Sequence, residues 1–437
     1  MIDYGANVNF EDETFRVPVL VSAIVLKDSS CLRLLLKAGT DVNATGPNGM
    51  TALMWAAKVN NSDWLDLLVE KKADLNARGD RLRTALRHCV MDQNQSCVEK
   101  LIELGSNVNY FDDKGSGPLV MAAEKGDIDC LRHLLQAGAS VNIGGPSGWN
   151  ALIHAIYSKN EECVLALIQH GADVNFVDER RGERPLTVAT RLGAEKCFHV
   201  LINNGANVNL PDIRRRTALM LAPCTRDGSL LDGLLTRTAD VHVADESGLT
   251  ALMIAAGNGD ESCVHKLIQR RADASFSRVD FLDASMRFLV EWCETRFTEE
   301  FDKSGMASLR GVSSASGLYL NGWYVRGCTS LGLACAGGHL KCVKILVEDG
   351  DARVNVDSGL TPLMLASVNG NEACVHYLVL QGAGLDARTK ELIGLIALTL
   401  ALLSDWEKCV KALLDAGPDQ SLPASHQSIA AAFYFAV

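Results

Sequence analysis

The sequence lacks the patterns that most often identify a metalloprotein or a nucleotide-binding enzyme. It has no Cys-x2-Cys and no His-x3-His pair, so the usual spacing of zinc ligands is missing. The pairs Gly144-Gly145 and Gly337-Gly338 are not followed by Gly-Lys-Ser or Gly-Lys-Thr, so they indicate turns and not a phosphate-binding loop. We therefore expect no bound metal and no cofactor.

Excess basic charge and long apolar segments are also missing. The formal net charge is −11 at pH 7, which argues against nucleic acid as the main ligand because phosphate binding requires an excess of Lys and Arg. No stretch of about 18 residues is apolar and free of charge, so we expect no membrane span. Residues 1–5 lack a basic start followed by an apolar run, so we expect no signal peptide.

What the sequence does contain is one pattern repeated along almost its whole length. It is clearest in residues 250–256, TALMIAA, followed by residues 263–268, CVHKLI. Most neighbouring copies follow each other at a period of about 33 residues, which is typical of a repeat protein. The gap between the copies at Thr250 and Thr329 is more than twice as long. The anchors of the eleven copies, each defined as offset 0, are Pro18, Thr51, Thr84, Gly117, Asn150, Arg184, Thr217, Thr250, Thr329, Thr361 and Ile396.

Each copy is expected to fold as two short helices followed by a turn. Offset 0 is often Thr, a favourable helix N-cap, and Pro at offset +1 suits the first helical turn. Apolar residues at +2, +5 and +6 and at +13, +14, +17 and +18 predict two amphipathic helices. Gly at +21 in eight copies predicts a left-handed helix end. Because two short helices cannot bury both faces alone, neighbouring copies must stack.

The repeat resembles the ankyrin family. The segment TPLMLA at 361–366 and the endings GADVN at 171–175 and GANVN at 205–209 are similar to the ankyrin pattern, although no copy keeps the full Thr-Pro-Leu-His. The resemblance implies an all-α helical solenoid of stacked helix-turn-helix repeats with projecting hairpin-like turns. It also implies a binding scaffold without naming a ligand.

The repeat frame divides the chain into four segments. Residues 1–275 are predicted to form an array of one partial and about eight full repeats, and residues 323–421 a second array of about three. Residues 276–322 are predicted to be an irregular insertion, with one helix and a disordered loop, that separates two stacks. A degenerate repeat with a linker and a splicing artefact are alternatives.

The two ends of the chain carry incomplete copies of the pattern, since residues 3–9 match a repeat ending and residues 422–437 match a truncated repeat start. We expect a fragment of a longer protein, and the alternative is a degenerate cap at each end. The mass of the native protein would distinguish the two.

Cysteine is used as a packing residue. Nine of the fourteen cysteines share offset +13, where Trp64 and Leu230 stand in two other copies. A position shared by Cys, Trp and Leu is expected to be apolar and buried. We therefore expect free thiols and a reducing compartment, the cytosol or the nucleus. The nine residues are Cys31, Cys97, Cys130, Cys163, Cys197, Cys263, Cys342, Cys374 and Cys409.

Three copies contain Cys-x-His, a pair that can act as nucleophile and base. Residues two apart on a helix point in different directions, so the Cys should face the core and the His the solvent. We expect no catalytic site and no enzyme activity. The pairs are Cys197/His199, Cys263/His265 and Cys374/His376.

The predicted partner-binding surface follows from the resemblance, which implies a concave surface built from the turns and from helix offsets +7 and +8. Two neighbouring turns are rich in Arg, and the repeat before them supplies two aromatic residues. Arg binds carboxylate and phosphate groups bidentately, so an acidic or phosphorylated protein or peptide is the predicted partner. The alternative is a solvated turn balanced by Asp178, Glu179, Glu183 and Asp212. The candidates are Trp149, Tyr157, Arg180, Arg181, Arg184, Arg191, Arg214, Arg215 and Arg216.

Five asparagines stand in a second pattern, each eight residues after a Leu and directly after a Val. This resembles the substrate pattern of the asparaginyl hydroxylase that acts on ankyrin-like repeats. The alternative is that the Leu packs the second helix and the Asn bonds its own turn. The predicted hydroxylation sites are Asn43, Asn109, Asn142, Asn175 and Asn209.

The leading functional prediction is a non-catalytic scaffold or adaptor that binds a partner through its concave surface and turn tips. The alternative is a regulatory region of a larger protein, such as a ubiquitin-ligase substrate receptor, a channel or a kinase. A stand-alone enzyme is a third class, which activity of the purified chain would support.

Overall fold

The computed structural model describes residues 7–10, 17–113, 115–145, 148–178, 180, 182–224, 228–277, 328–356, 360–387, 397–404 and 406–417. Contacts divide the chain into two compact units, Met1–Asn207 (unit 1) and Val208–Val437 (unit 2). Regular structure in the described ranges is helical, apart from the isolated bridges Thr45 to Thr51 and Ala244 to Thr250. No described helix is long and apolar enough to cross a bilayer.

Each of the eleven repeats in the described part forms two α-helices, as the period predicts. The first helices are Val19–Val25, Ala52–Lys58, Ala85–Met91, Pro118–Lys125, Ala151–Tyr157, Pro185–Arg191, Ala218–Leu221, Ala251–Asn258, Ser330–Gly337, Pro362–Val368 and Ala397–Leu403. The second helices are Ser29–Lys37, Ser62–Glu70, Gln95–Glu103, Ile128–Gln136, Glu161–Gln169, Glu195–Asn203, Gly228–Thr236, Glu261–Gln269, Leu340–Glu348, Glu372–Leu380 and Glu407–Asp415. Short 3-10 helices occupy Pro47–Gly49, Asp80–Leu82 and Ala222–Cys224.

The predicted cap at offset 0 is confirmed in most Thr repeats. The Thr51 hydroxyl accepts the backbone N–H of Met54 at 3.3 Å, and Thr250 accepts that of Met253 at the same distance. Asn150 does the same for Ile153 at 3.0 Å. These bonds satisfy an N–H that has no partner within the helix, and they fix where each first helix begins.

The helix end at offset +21 is left-handed in most repeats. Gly39, Gly105 and Gly205 have φ of 81°, 93° and 88° there. Gly350 differs from the prediction, because the second helix before it ends at Glu348 and the left-handed residue is Asp351, with φ of 50°. Thr238 adopts the same conformation without being Gly, with φ of 57°.

The cysteine ladder is confirmed with one exception. Eight of the nine cysteines at offset +13 are buried, with Cys97 and Cys163 fully inaccessible. Trp64 and Leu230 are buried at the same offset. Cys31 is exposed, contrary to the prediction, because it lies on the face of the first described repeat against which no other described helix pair packs. The ladder therefore marks contacts between neighbouring repeats.

Unit 2 corrects the expectation that an insertion separates two stacks. Helix Ser330–Gly337 packs directly against Ala251–Asn258, just as successive repeats do elsewhere. The His339 ring nitrogen Nε2 donates to the Gly257 carbonyl at 3.0 Å. The repeats on the two sides of the segment therefore form one continuous stack. Residues 278–327, and the predicted truncated start at 422–437, lie outside the described residues.

Candidate partner-binding surface

The turns between repeats are closed by backbone hydrogen bonds, which makes them hairpin-like. In unit 1 the N–H of Gly79 donates to the Arg83 carbonyl at 2.9 Å, and that of Gly145 to Trp149 at 3.0 Å. In unit 2 the N–H of Asp212 donates to the Arg216 carbonyl at 2.9 Å. The turns and the first helices together form what we call the inner face of each unit.

A buried Asp organises several of these turns. The Asp212 carboxylate accepts the backbone N–H groups of Arg214 and Arg216 at 2.9 and 2.8 Å. Asp245 accepts those of Ser247 and Leu249 in the same way. Burial raises the pKa of Asp245, and these two hydrogen bonds oppose that rise. The carboxylates thus hold the turn shape that presents the tip side chains.

Three of the predicted binding residues form one cluster in unit 1. The rings of Trp149 and Tyr157 stack with centroids 4.4 Å apart at an interplanar angle of 22°. Arg191 Nη2 donates to the Tyr157 hydroxyl at 2.9 Å and to the Glu183 carboxylate at 2.6 Å. His154 meets the Trp149 ring edge-on, with centroids 5.4 Å apart. The result is a rigid aromatic platform with a fixed guanidinium beside it.

The other Arg candidates of unit 1 are less uniform. The Arg184 side chain folds back onto the turn that precedes it, where Nη1 donates to the Asn175 carbonyl at 2.9 Å. Arg180 is exposed at the turn tip, with its backbone N–H bound to the Asp178 carboxylate at 2.9 Å. Arg181 and Glu179 lie outside the described residues. Arg184 therefore has a structural contact, and Arg180 is the described tip side chain of this turn.

Unit 2 holds the second Arg-rich turn. Arg216 forms an ion pair with Asp212, in which Nε and Nη2 both donate to the carboxylate oxygen Oδ2, at 2.9 and 2.8 Å. Arg214 and Arg215 are exposed. The ion pairs Glu183–Arg191 and Asp212–Arg216 agree with the alternative interpretation, in which acidic residues balance the Arg residues of the turns. Other Arg side chains at the turn tips are exposed. The role of these residues as a partner site stays a prediction.

The predicted hydroxylation sites form a ladder between repeats. The Asn109 side chain donates to the Gly138 carbonyl at 3.3 Å and accepts the Ser140 N–H at 2.8 Å. Asn43 makes the equivalent bonds to Lys72 and Asp74. The side chains thus bond the next repeat, not their own turn as the alternative interpretation expected. Asn142, Asn175 and Asn209 also accept an N–H of the next repeat.

Three asparagines of this ladder were missed because each lacks the Leu or the Val of the selected pattern. Asn9, Asn76 and Asn355 accept the N–H of Asp41, Asn107 and Gly384, respectively, at 2.7 to 2.9 Å. For Asn76 the available signal was its offset of +25, which the five predicted sites share. The Leu residues of the pattern are buried, as expected of packing residues, with Leu101 and Leu134 fully inaccessible.

The Cys-x-His pairs are arranged as predicted, with thiol and imidazole apart. Cys197 is 1% exposed whereas His199 is exposed, and the same holds for the other two pairs. Burial raises the pKa of Cys197 to about 11 and that of Cys374 to about 11. A thiol with so high a pKa is neutral near pH 7, and the neutral thiol is a poor nucleophile.

A polar cluster on the first helices of unit 1 was missed by the sequence analysis. Arg87 is 7% exposed and pairs through Nη2 with Asp112 at 2.6 Å. His88 beside it is also 7% exposed, and Arg83 and Trp55 are half-buried. The signal was a charged residue at offset +3, where Met54, Val120, Ile153, Met220, Met253 and Met364 stand in other repeats.

Stacked two-helix units with projecting turns define a helical repeat protein. The family model for ankyrin repeats (3 copies) matches residues 2–79, 19–112, 86–178, 119–212 and 306–391, and the single ankyrin repeat model matches residues 247–278. These matches cover well over half of the chain, so the chain belongs to the ankyrin-repeat family. The 306–391 match begins inside the segment predicted to be an insertion.

Short stretches of known proteins are similar to this chain. Ankyrin repeat domain-containing protein 63 is 38% identical over 91 residues in Mus musculus and in Homo sapiens, covering 20% of this chain and 23% and 24% of those proteins. E3 ubiquitin-protein ligase KEG of Arabidopsis thaliana is 33% identical over 95 residues, covering 21% of this chain and 6% of the ligase. The chain thus spans less than a quarter of each relative.

Proposed function

We propose that the chain is a non-catalytic scaffold or adaptor that binds a protein or peptide segment along the inner face of unit 1. The observation that carries this proposal is the cluster of Trp149, Tyr157 and Arg191. Trp, Tyr and Arg are the residue types that most often dominate interface energetics. Because the two rings already stack and Arg191 is already bonded, a partner would order few side chains on binding.

The proposed partner is acidic or phosphorylated. Arg180 of unit 1 and Arg214 and Arg215 of unit 2 expose their side chains at turn tips. A guanidinium binds carboxylate and phosphate bidentately, and a cationic tip is distinctive on a chain whose net charge is −11. The buried Asp of each turn supports the choice, since it fixes the backbone that carries these side chains.

Selection of peptides from a random phage-displayed library on the full chain tests this proposal. We expect peptides enriched in Asp and Glu. We also expect the Trp149→Ala/Arg191→Gln double variant to bind them at least about tenfold more weakly, as loss of interface hot spots does. Arg132→Gln, an exposed Arg on a second helix of unit 1, is the control and should bind normally. Selected peptides that bind the double variant as tightly as the unaltered chain would reject the proposal.

The second candidate function is a regulatory region of a larger protein. The similarity to E3 ubiquitin-protein ligase KEG, of which the chain covers 6%, favours this candidate. A full-length transcript that encodes a catalytic or channel domain in the same reading frame would support it. In either case we propose action in the cytosol or nucleus, supported by the free thiols of the described cysteines. Fluorescent tagging of the full-length protein checks the compartment.

Hydroxylation of the Asn ladder remains part of the proposal. It predicts a mass increase of one oxygen atom on peptides containing Asn43, Asn109, Asn142, Asn175 or Asn209 from natively expressed protein. The inter-repeat bonds of these side chains use the amide group, and the Cβ atom that would be modified takes no part in them. Peptides of unmodified mass at all five sites would remove this suggestion.

A further inference from the structure

The polar cluster of Trp55, Arg83, Arg87 and His88 has more buried donors than acceptors. Arg87 Nη2 is bound to Asp112, but Arg87 Nε and Nη1 have no hydrogen-bond partner although they are buried. Arg83 Nε and Trp55 Nε1 are buried donors without a partner as well, and His88 Nδ1, which donates or accepts according to the tautomer, is also buried without one. An unsatisfied buried donor is destabilising, and more so when it is charged. The cluster therefore favours an added acceptor.

These side chains lie on adjoining parts of the inner face. Trp55 and His88 share offset +4 on the helices Ala52–Lys58 and Ala85–Met91, which pack against each other. Arg83 closes the turn that precedes His88. Burial is the largest cause that lowers the pKa of His88, and Arg83, Arg87 and Lys58 lower it further, so positive charges converge on the imidazole. Asp92 opposes them, and Asp112 and Asp113 face Arg87.

Basic side chains are also present at the neighbouring turn tips, which form the rim of the cluster. Arg78 lies over the Tyr110 ring at 4.4 Å, and Lys58 lies over the Trp55 ring at 4.9 Å. The Asp113 N–H donates to the Arg81 carbonyl at 3.1 Å, which holds the two turn tips together. Arg78 and Arg81 are exposed. An acidic chain that crosses this rim would reach the half-buried Arg83 first.

We propose that Trp55, Arg83, Arg87 and His88 form a subsite for a single carboxylate side chain of an acidic peptide. The carboxylate accepts hydrogen bonds from Arg83 and Arg87 and thereby supplies acceptors for buried donors that Asp112 does not reach. The subsite rests on the proposed function, because it assumes that a peptide lies along the inner face of unit 1. It adds a second contact, two repeats before the Trp149 cluster, and names the chemistry of the group bound there.

The test uses the full chain and a fluorescein-labelled decapeptide of alternating Glu and Gly at low ionic strength, where screening is weak. Anisotropy should show saturable binding, and the matching Gln-Gly peptide should bind at least about tenfold more weakly. Arg83→Gln should weaken binding of the Glu peptide about tenfold, since it removes a charged donor. Arg132→Gln, with the same charge change on an exposed second-helix residue, should leave binding unchanged.

A second variant avoids loss of folding. Arg87→Met with Asp112→Asn removes the buried ion pair and places Met where four other repeats have it. Replacing a buried ion pair by an apolar residue is often neutral or stabilising, so this chain should fold and still lose about tenfold in affinity for the Glu peptide. The circular dichroism of each variant confirms its helix content.

The outcomes separate the subsite from the Trp149 cluster. If the unaltered chain binds no Glu peptide, if the Gln peptide binds equally well, or if Arg83→Gln behaves like Arg132→Gln, the subsite is wrong. If Trp149→Ala alone abolishes binding and Arg83→Gln does not, the proposed function stands without the subsite. If Arg83→Gln abolishes binding and Trp149→Ala does not, the subsite stands and the aromatic anchor is wrong.

Discussion

The residues at offset +21, which follow the second helix of each repeat, mostly share the left-handed backbone conformation. Gly occupies it in most repeats, but Thr238 holds φ of 57° there. A β-branched residue in the left-handed region is strained, because its Cβ crowds the backbone. The requirement for this conformation was predictable from the recurring Gly. Its persistence at Thr238 was not, because it accompanies a hydrogen bond from the Asn209 side chain of the preceding repeat to the Thr238 carbonyl at 3.4 Å.

Thr238→Gly should therefore stabilise unit 2 by about 1 kcal/mol, the strain removed less the extra entropy of an unfolded Gly. The midpoint of urea unfolding measures the change. The reverse substitution, Gly205→Thr, is the matched control and should destabilise the chain. A Cβ at Gly205 meets no atom within 4 Å, so only backbone strain acts there. A lower midpoint for Thr238→Gly would contradict the argument.

The buried imidazole of His88 predicts a pH dependence of stability. Burial, together with Arg83, Arg87 and Lys58, lowers its pKa from 6.5 to about 4. The unfolded chain thus binds more protons between these values, and stability falls as the pH drops from about 6.5 to about 4. Above pH 6.5 this contribution is fully present. Its loss is on the order of 3 kcal/mol.

His88→Gln should flatten the fall of the unfolding midpoint between pH 6.5 and pH 4. His199→Gln makes the same substitution on an exposed helix face and should keep the slope of the unaltered chain. Equal slopes in the three proteins would show that His88 does not titrate in the folded state as its surroundings indicate.

At the scale of elements, the sequence predicts the helices well and their lateral bonds poorly. The regular repeat period placed both helices of all eleven repeats, because burial of one face fixes their phase. It did not indicate that Asn109 bonds Gly138 and Ser140, since partners one repeat away depend on how the repeats stack. The Arg83–Arg87–His88 cluster was missed because the density of Arg along the chain does not report burial, whereas a charged residue at offset +3, which is apolar in most repeats, does.

The continuous stack in unit 2 predicts that the segment between its repeats is dispensable for folding. The His339–Gly257 bond and the Arg353 N–H to Ser275 Oγ bond, at 3.2 Å, join the repeats directly. Replacing residues 277–328 by a copy of Ala244–Leu249 restores the regular repeat period. Cys328, at offset −1, is buried in an apolar cluster with Met253 and Leu333, and the copied Leu takes its place there. We expect unchanged helix content per repeat and an unfolding midpoint close to that of the intact chain.

The excised chain with His339→Ala provides the control. It should be less stable than the excised chain alone, because the direct bond to Gly257 is lost. Aggregation or loss of helix signal after excision would show that the segment itself is needed to hold the two sides together.

At the scale of the whole molecule, a repeat protein draws its stability from each repeat and its two neighbours. Within unit 1, helix Ile128–Gln136 packs against Gln95–Glu103 before it and Glu161–Gln169 after it. The net charge of −11 does not change this pattern, since it acts on partners and solubility more than on fold. A core defect in one repeat should therefore weaken its neighbours more than distant repeats.

Leu131→Ala tests this neighbour dependence, since Leu131 is fully inaccessible in the second helix of its repeat. The cavity should cost about 2–5 kcal/mol. Hydrogen exchange should show the largest loss of protection in Pro118–Lys125 and Ile128–Gln136, a smaller loss in Gln95–Glu103 and Glu161–Gln169, and the least in Val19–Val25. Arg132→Ala, on the exposed side of the same helix, should change little. An equal loss of protection throughout unit 1 would mean that unit 1 unfolds as one cooperative body. The effect of a core defect would then not depend on distance from the altered repeat.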